Sequence, residues 1–416
     1  MAKKLYEESS IQAIANAIRE KNGQTTTYKP SEMAAAITAI ATGGGGEVEP
    51  IVLSGDCSYA CAGVLASNYI KLFGDTITTK DITTAERMFN NCQFVKSIPF
   101  KINLKANSST SLFYMFNNCY ELENIVADID CSHSDDASMM GIFNNCSKLK
   151  EVPYLFNAYP NNFGNLFWGC ECLREIPEDY FDTWNFSSIN SSKYASDASM
   201  FSYCYSLRNI PTKIFSYLCK YNENITSKSS MYCFYSSSCA YCYNLDEVIG
   251  FPVAKTLILT SNMFKNTFNQ CSRLKNMTFE TNEDGTSIMV QWKTQIIDLS
   301  LSIGYASTND KNIILNYNSG ITADKEVKDN ATYQALKNDP NWFTTKIEYS
   351  RYNHDSAVAT INSLPDASAY LTANGGTNTI KFKGAAGSAT DGGAINTLTE
   401  EEIAVAAAKG WTVSFV

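Results

Sequence analysis

The stretch Met88-Phe-Asn-Asn-Cys92-Gln-Phe-Val95-Lys-Ser-Ile98-Pro99 recurs as Met115-Phe-Asn-Asn-Cys119-Tyr-Glu-Leu122-Glu-Asn-Ile125 and as Ile142-Phe-Asn-Asn-Cys146-Ser-Lys-Leu149-Lys-Glu-Val152-Pro153. Four more copies, around Cys170, Cys204, Cys242 and Cys271, follow the shared frame Phe-x-x-Cys-x-x-Leu-x-x-Ile-Pro. The intervals between frame cysteines are 27, 27, 24, 34, 38 and 29 residues, a unit of 24 to 27 lengthened by insertions in the later copies. A period of this size marks a solenoid, because one such unit cannot bury its apolar side alone whereas a stack of them can. The expected fold is an α/β repeat with parallel short strands over residues 51–285. Cys92, Cys119, Cys146, Cys170, Cys204, Cys242 and Cys271 should form a core ladder of small buried wedges beside columns of Phe, Leu and Ile.

A second period follows. Ile314, Ile347, Ile380 and Val413 are each 33 residues apart and sit in short strand-like runs. Helical patterns lie between them at Ala331 to Lys337, Val358 to Leu364 and Thr399 to Lys409, the last stopped by Gly410. The expectation for residues 286–416 is therefore strand–helix repeats that continue the stack and close its C-terminal end.

Upstream of the repeats, Ile11, Ile14 and Ile18 form one helical stripe and Met33, Ile37 and Ile40 another. Gly43 to Gly46 break the pattern, and residues 43–50 read as a linker. No Gly-Lys-Ser/Thr follows those glycines, which excludes a phosphate-cradling loop. Two helices within residues 1–42 bury little surface by themselves. Their stripes call for another protein or for copies of themselves, which makes this segment an attachment or oligomerisation module.

Composition removes several function classes. The 416 residues carry a net charge of −9, so no basic field is available for a phosphate backbone and nucleic acid is not an expected partner. No apolar run is long enough to span a bilayer, and no membrane insertion is expected. With only two histidines, His133 and His354, the commonest general base is nearly absent and no multi-histidine metal site can be built. Cys239-Ala-Tyr-Cys242 falls within the repeat frame and has no second pair at zinc-ribbon spacing. The chain reads as a non-enzyme without cofactor or metal. Fourteen cysteines without an apolar export segment at Met1 to Glu8 point to free buried thiols made in a reducing cytoplasm. Aromatic residues make up 12% of the chain, and Tyr180, Trp184, Tyr194, Tyr217, Tyr221, Tyr232 and Tyr235 cluster in the insertions, where they could contact a sugar ring or a protein epitope.

The frame resembles the BspA-like leucine-rich repeat, found in bacterial surface antigens and in virion proteins of phages of gut bacteria; the likeness spans Cys61 to Met277. The segments Ile11 to Gly23 and Tyr28 to Ile37, and the ending Leu398 to Val413, are similar to parts of phage tail-fibre and receptor-binding proteins. The resemblance implies a structural virion protein, a tail or head fibre or receptor-binding subunit. It would dock on other virion proteins by its N-terminus and present a leucine-rich-repeat solenoid to a host-surface glycan or protein. It also implies a homotrimer, although a symmetric dimer or docking of single copies would cover the same stripes. A bacterial surface adhesin with the same repeats is the alternative.

Overall fold

The computed structural model describes residues 51–63, 77–105, 111–132, 137–186, 199–222, 237–255, 258–259, 262–271, 273–300, 311–315, 325–327, 343–347, 353–383 and 398–416. The helical module expected at 1–42 and the linker at 43–50 lie outside them. Within each copy, the Phe-x-x-Cys part is a string of tight turns. In the copy around Cys92 the amides of Met88, Asn90 and Cys92 donate to the carbonyls three residues back, at 3.1, 3.0 and 3.1 Å. Two residues per copy take left-handed backbone to make this possible: Arg87 and Asn91, Tyr114 and Asn118, Gly141 and Asn145, Asn165 and Gly169, then Ser199 and Tyr203, Ser237 and Tyr241, Asn266 and Gln270. Asn and Gly tolerate that region best, which explains the second Asn of Asn-Asn-Cys in the first three copies.

Neighbouring copies lie side by side and in register. The amides of Phe89, Phe116 and Phe143 donate to Met115, Ile142 and Leu166 at 2.8, 2.8 and 3.0 Å. Those of Asn91, Asn118 and Asn145 donate to Asn117, Asn144 and Trp168 at 2.8, 2.8 and 2.7 Å. The rings of Phe89, Phe116, Phe143, Phe167 and Phe201 consequently stack, with centroids 4.9, 5.7, 5.6 and 6.0 Å apart. All seven frame cysteines are buried, as is the Leu column from Val95 to Leu274. Two left-handed residues cost about 1–2 kcal/mol each. Burying the Met, Phe and Leu of one copy contributes about 1.5–3 kcal/mol apiece, so packing dominates and holds the turns strained.

The remaining pairings between copies are short parallel strands. β1 (Ile51–Asp56) pairs with β2 (Ile77–Thr84), and β3 (Ser97–Ile98) with β4 (Asn124–Ile125). β5 (Ile129–Asp130) pairs with β7 (Leu155–Phe156), and β6 (Ala137–Ser138) with β8 (Pro160–Asn162). β9 (Glu247–Phe251) pairs with β10 (Asn276–Phe279). An insertion after Ile210-Pro211 forms α1 (Lys213–Asn222).

The C-terminal part keeps the 33-residue strand positions but not a single pairing direction. β11 (Ile296–Asp298), β15 (Asn378–Phe382) and β16 (Trp411–Phe415) form a parallel sheet. β12 (Lys311–Leu315), however, pairs antiparallel with both β13 (Lys325–Val327) and β14 (Phe343–Ile347). The expectation of uniform parallel continuation is corrected here, because β13 between β12 and β14 reverses the chain where a lone crossover helix was expected. The helix expected at Ala331 to Lys337 lies outside the described residues. α2 (His354–Ser363), α3 (Ser368–Asn374) and α4 (Glu400–Ala408) complete this part. The indole of Trp411 donates to the Pro365 carbonyl at 2.7 Å, and the amide of Phe279 donates to Ser363 Oγ at 3.0 Å, which ties the C-terminal elements to the last copy.

Two measurements follow. A Cβ on Gly169, at φ +74°, would lie 2.5 Å from Asn145 Oδ1, and the Asn145 amide is itself held by Asn118 Oδ1 at 2.9 Å. Gly169→Ala should therefore cost about 2 kcal/mol, against the 0.5–3 kcal/mol of ordinary substitutions; an unchanged melting temperature would show that Asn145 is free to move. Second, Glu402 Oε2 accepts from the Thr399 amide at 2.8 Å and faces His354 Nε2 at 3.0 Å, joining the first turns of α2 and α4. Hydrogen bonding to Glu402 raises the His354 pKa above 6.5; the Thr399 amide, then the His354 bond, lower that of Glu402 below 4.5. The histidine's contribution is complete below pH 6.5 and fades as pH climbs through its raised value, while the carboxylate's is complete above pH 4.5 and fades as pH falls through its lowered value. His354→Ala should lower the melting temperature most between these two values and least in alkaline buffer; a pH-independent loss would contradict the pair.

Candidate functional site

The residues flanking the frame cysteine build a second, smaller cluster outside the main core. Tyr205 and Tyr243 directly follow Cys204 and Cys242, and Tyr203 and Tyr241 directly precede them. Because neighbouring copies are in register, equivalent rings meet: Tyr203 and Tyr241 stack at 4.6 Å, and Tyr205 and Tyr243 at 5.0 Å. Trp168, from the copy before, tilts onto Tyr203 at 5.0 Å. Tyr205 and Tyr243 are 4% and 7% exposed and form a second apolar cluster with the half-buried Tyr120, Tyr203, Tyr241 and Cys172. Their hydroxyl tips leave the cluster amphipathic. Burial first, then the neighbouring Tyr241, pushes the Tyr203 phenol up, so it stays protonated at neutral pH.

The copies also carry a column of charge. The fourth residue after each frame cysteine is, in order, Lys96, Glu123, Lys150, Arg174, Arg208, Asp246 and Lys275. Backbone bonds hold members of this column next to one another: Glu123 to Lys96 at 2.8 Å, Lys150 to Glu123 at 3.2 Å, Arg208 to Arg174 at 2.8 Å, Asp246 to Arg208 at 3.1 Å and Lys275 to Asp246 at 2.9 Å. Most steps pair opposite charges. Lys150 Nζ lies 2.6 Å from Glu123, which lowers the carboxyl's pKa, and Lys275 lies 3.3 Å from Asp246. One column nearer the cysteine, Lys148 lies 2.9 Å from Glu121. Arg273 takes the other Asp246 oxygen at 3.4 Å.

Two consecutive steps, Lys150 to Arg174 and Arg174 to Arg208, break that alternation, and the arginines make the second of them. Both side chains are exposed, and among the described residues neither guanidinium forms an ion pair. Cys172 packs on the tyrosine cluster and, beyond its burial, feels the charge of Glu171 first and then those of Lys148, Lys150 and Arg174. Burial nevertheless pushes its thiol up to about 12, so it is no nucleophile at neutral pH. Among the described residues no group of three metal-ligating side chains occurs. The arrangement offers two exposed guanidiniums without an ion pair among the described residues, and tyrosine rings that pack on one another.

The residues singled out in the sequence fall elsewhere. Tyr180 and Trp184 are 1% and 7% exposed, so they are corrected from ligand contacts to core. The Tyr180 hydroxyl donates to the Pro153 carbonyl at 2.9 Å, and Trp184 meets Phe181 edge-on at 4.9 Å. The insertion that carries them folds inward against the repeats. Tyr217 is half-buried, stacks on Phe186 at 5.6 Å and donates to Asp182 Oδ1 at 3.1 Å. Tyr221 lies on α1, its side chain outside the described set; Tyr194, Tyr232 and Tyr235 lie outside the described residues, as do Ile11, Ile14, Ile18, Met33, Ile37 and Ile40. The tyrosine stacks and the arginine step carry a sequence signal of their own, fixed offsets from the frame cysteine, visible once the copies are aligned on that residue. No model of a known family, no curated protein and no solved structure matches the chain. Among the described residues no helix is long and apolar enough to cross a membrane.

Proposed function

We propose that the chain is a structural virion protein of a bacteriophage, a tail or head fibre or receptor-binding subunit. In this reading residues 1–42 dock on other virion proteins, with Ile11, Ile14, Ile18, Met33, Ile37 and Ile40 as the contact stripes and a homotrimer as the assembled form. The repeats then act as a leucine-rich-repeat solenoid that holds a recognition surface towards the host. The observation that carries the reading is the register of the copies, which turns single residues at fixed offsets into continuous columns of rings and charge on a rigid support. The twelve cysteines described are free thiols, which fits synthesis in a reducing host cytoplasm before assembly. The same columns would serve a bacterial surface adhesin, and location separates the two readings. An antibody raised against the full chain should decorate phage particles in immunogold electron microscopy, and its Fab should reduce adsorption to the host. Decoration of the envelope of uninfected bacteria, with bare particles, would overturn the virion reading in favour of the adhesin.

A further inference from the structure

We propose that β16 (Trp411–Phe415) pairs with β16 of a second copy of the chain, antiparallel and symmetric about Val413. The inference concerns the C-terminal strand and is independent of the virion reading. β16 is the last strand of the parallel sheet β11–β15–β16 and lies at its edge. The Val416 amide donates to the Phe382 carbonyl at 2.9 Å. In a parallel ladder alternate residues turn both backbone groups to the same side. Thr412 and Ser414 therefore face β15 together with Val416, while Trp411, Val413 and Phe415 turn their N–H and C=O to the open edge. Among the described residues no backbone bond reaches these three from that side.

An open strand edge is a template for a further strand, and proteins guard such edges with charge, proline or a covering element. Among the described residues the other edge strands of five residues or more all carry charge: Asp56 on β1, Lys80 and Asp81 on β2, Glu247 on β9 and Lys346 on β14. β10 carries none, but α2 covers it: Thr360 Oγ1 donates to the Met277 carbonyl, and Ser363 Oγ accepts from the Phe279 amide at 3.0 Å. β16 has neither guard. From Ile403 to Val416 the only charged side chain is Lys409, which is engaged by the Ile361 and Asn362 carbonyls at 3.0 and 2.6 Å. Val405 and Val416 are exposed in the same stretch. The last coil of a stack needs a polar outer face to remain in water alone, and this one is apolar. The occupant follows from the strand's own sequence. Trp411-Thr-Val-Ser-Phe415 alternates apolar and polar in the same order from either end. An antiparallel copy centred on Val413 sets Val413 opposite itself, Thr412 opposite Ser414 and Trp411 opposite Phe415. All three outward-turned residues then fall at hydrogen-bonded pairs, and any other centre leaves at least one of them unpaired. Such pairing also closes, because each copy uses up its edge and no filament propagates from it.

The test uses the full chain in sedimentation velocity and in thermal melting over a range of protein concentration. The chain should associate, and its melting temperature should rise with concentration. Val413→Pro removes an N–H that faces the open edge and leaves the bonds to β15 in place. At limiting dilution it should melt close to the original chain. Where the original chain is fully paired, the variant should sediment at no more than half the mass, whatever residues 1–42 assemble. Ser414→Pro removes a bond to β15 and should lower the melting temperature at every concentration. Thr412→Lys combined with Ser414→Lys sets like charges opposite one another across the axis and should abolish pairing. Thr412→Lys combined with Ser414→Glu sets opposite charges there and should restore it. A sedimenting mass that Val413→Pro leaves unchanged, or equal masses for the two charged double variants, would overturn the proposal.

Discussion

The carbonyls of Phe89, Phe116, Phe143, Phe167 and Phe201 each accept two hydrogen bonds, and the repeats depend on that double acceptance. Phe89 O takes the Cys92 amide at 3.1 Å to close its own turn, and the Cys119 thiol from the next copy at 3.1 Å. The same pattern joins Cys146 to Phe116, Cys170 to Phe143, Cys204 to Phe167 and Cys242 to Phe201, all at 3.1 or 3.2 Å. A buried carbonyl has two lone pairs to satisfy, and no water reaches this one. Cysteine is small and apolar enough for the core yet keeps one weak donor. Alanine at this place would leave a lone pair bare, and serine would bring a more strongly hydrated group into an apolar column. Burial raises the pKa of these thiols, so they stay protonated and able to donate.

Where the frame departs from Phe, other residues take up the task. Cys61 fills the ring place of the first described copy and its carbonyl accepts the Cys92 thiol. Cys239 fills it again before Cys242, and its carbonyl accepts the Cys271 thiol at 3.1 Å. The missing ring is replaced from elsewhere: Phe251 lies 4.9 Å from Phe215 of α1 and 5.7 Å from Phe268. Insertions are tolerated between copies because the Phe-x-x-Cys turns keep the register at every copy, and that register also positions the tyrosine stacks and the Arg174–Arg208 step.

The columns were legible in the sequence because burial acts on the same position in every copy: Phe89, Cys92 and Val95 recur at fixed offsets whatever separates them. Direction was not. The 33-residue spacing locates Ile314 and Ile347 on strands, but spacing says nothing about pairing sense, and β12 and β14 run antiparallel. Tyr180 and Trp184 sit in an insertion, a place where aromatic residues can face either way, and the Pro153 carbonyl that anchors Tyr180 is 27 residues distant. α1 carried its start signal in Pro211-Thr212 ahead of Ile214 and Phe215, a pattern hidden by the irregular spacing from Cys204 to Cys242. The arginine step was invisible until the copies were aligned, since a single exposed arginine is ordinary and only its neighbour one copy away makes it unusual.

The central claim is that the frame thiols are buried hydrogen-bond donors between copies, and alkylation mapped by mass spectrometry tests it most directly. Iodoacetamide applied to the native protein at mildly alkaline pH should leave Cys92, Cys119, Cys146, Cys170, Cys204, Cys242 and Cys271 unmodified, because each is buried and its thiolate is scarce. Raising denaturant should expose all seven in one cooperative step. Rapid native labelling of these cysteines, or stoichiometric disulfides among them in freshly prepared protein, would contradict the ladder and with it the register on which the recognition surface rests.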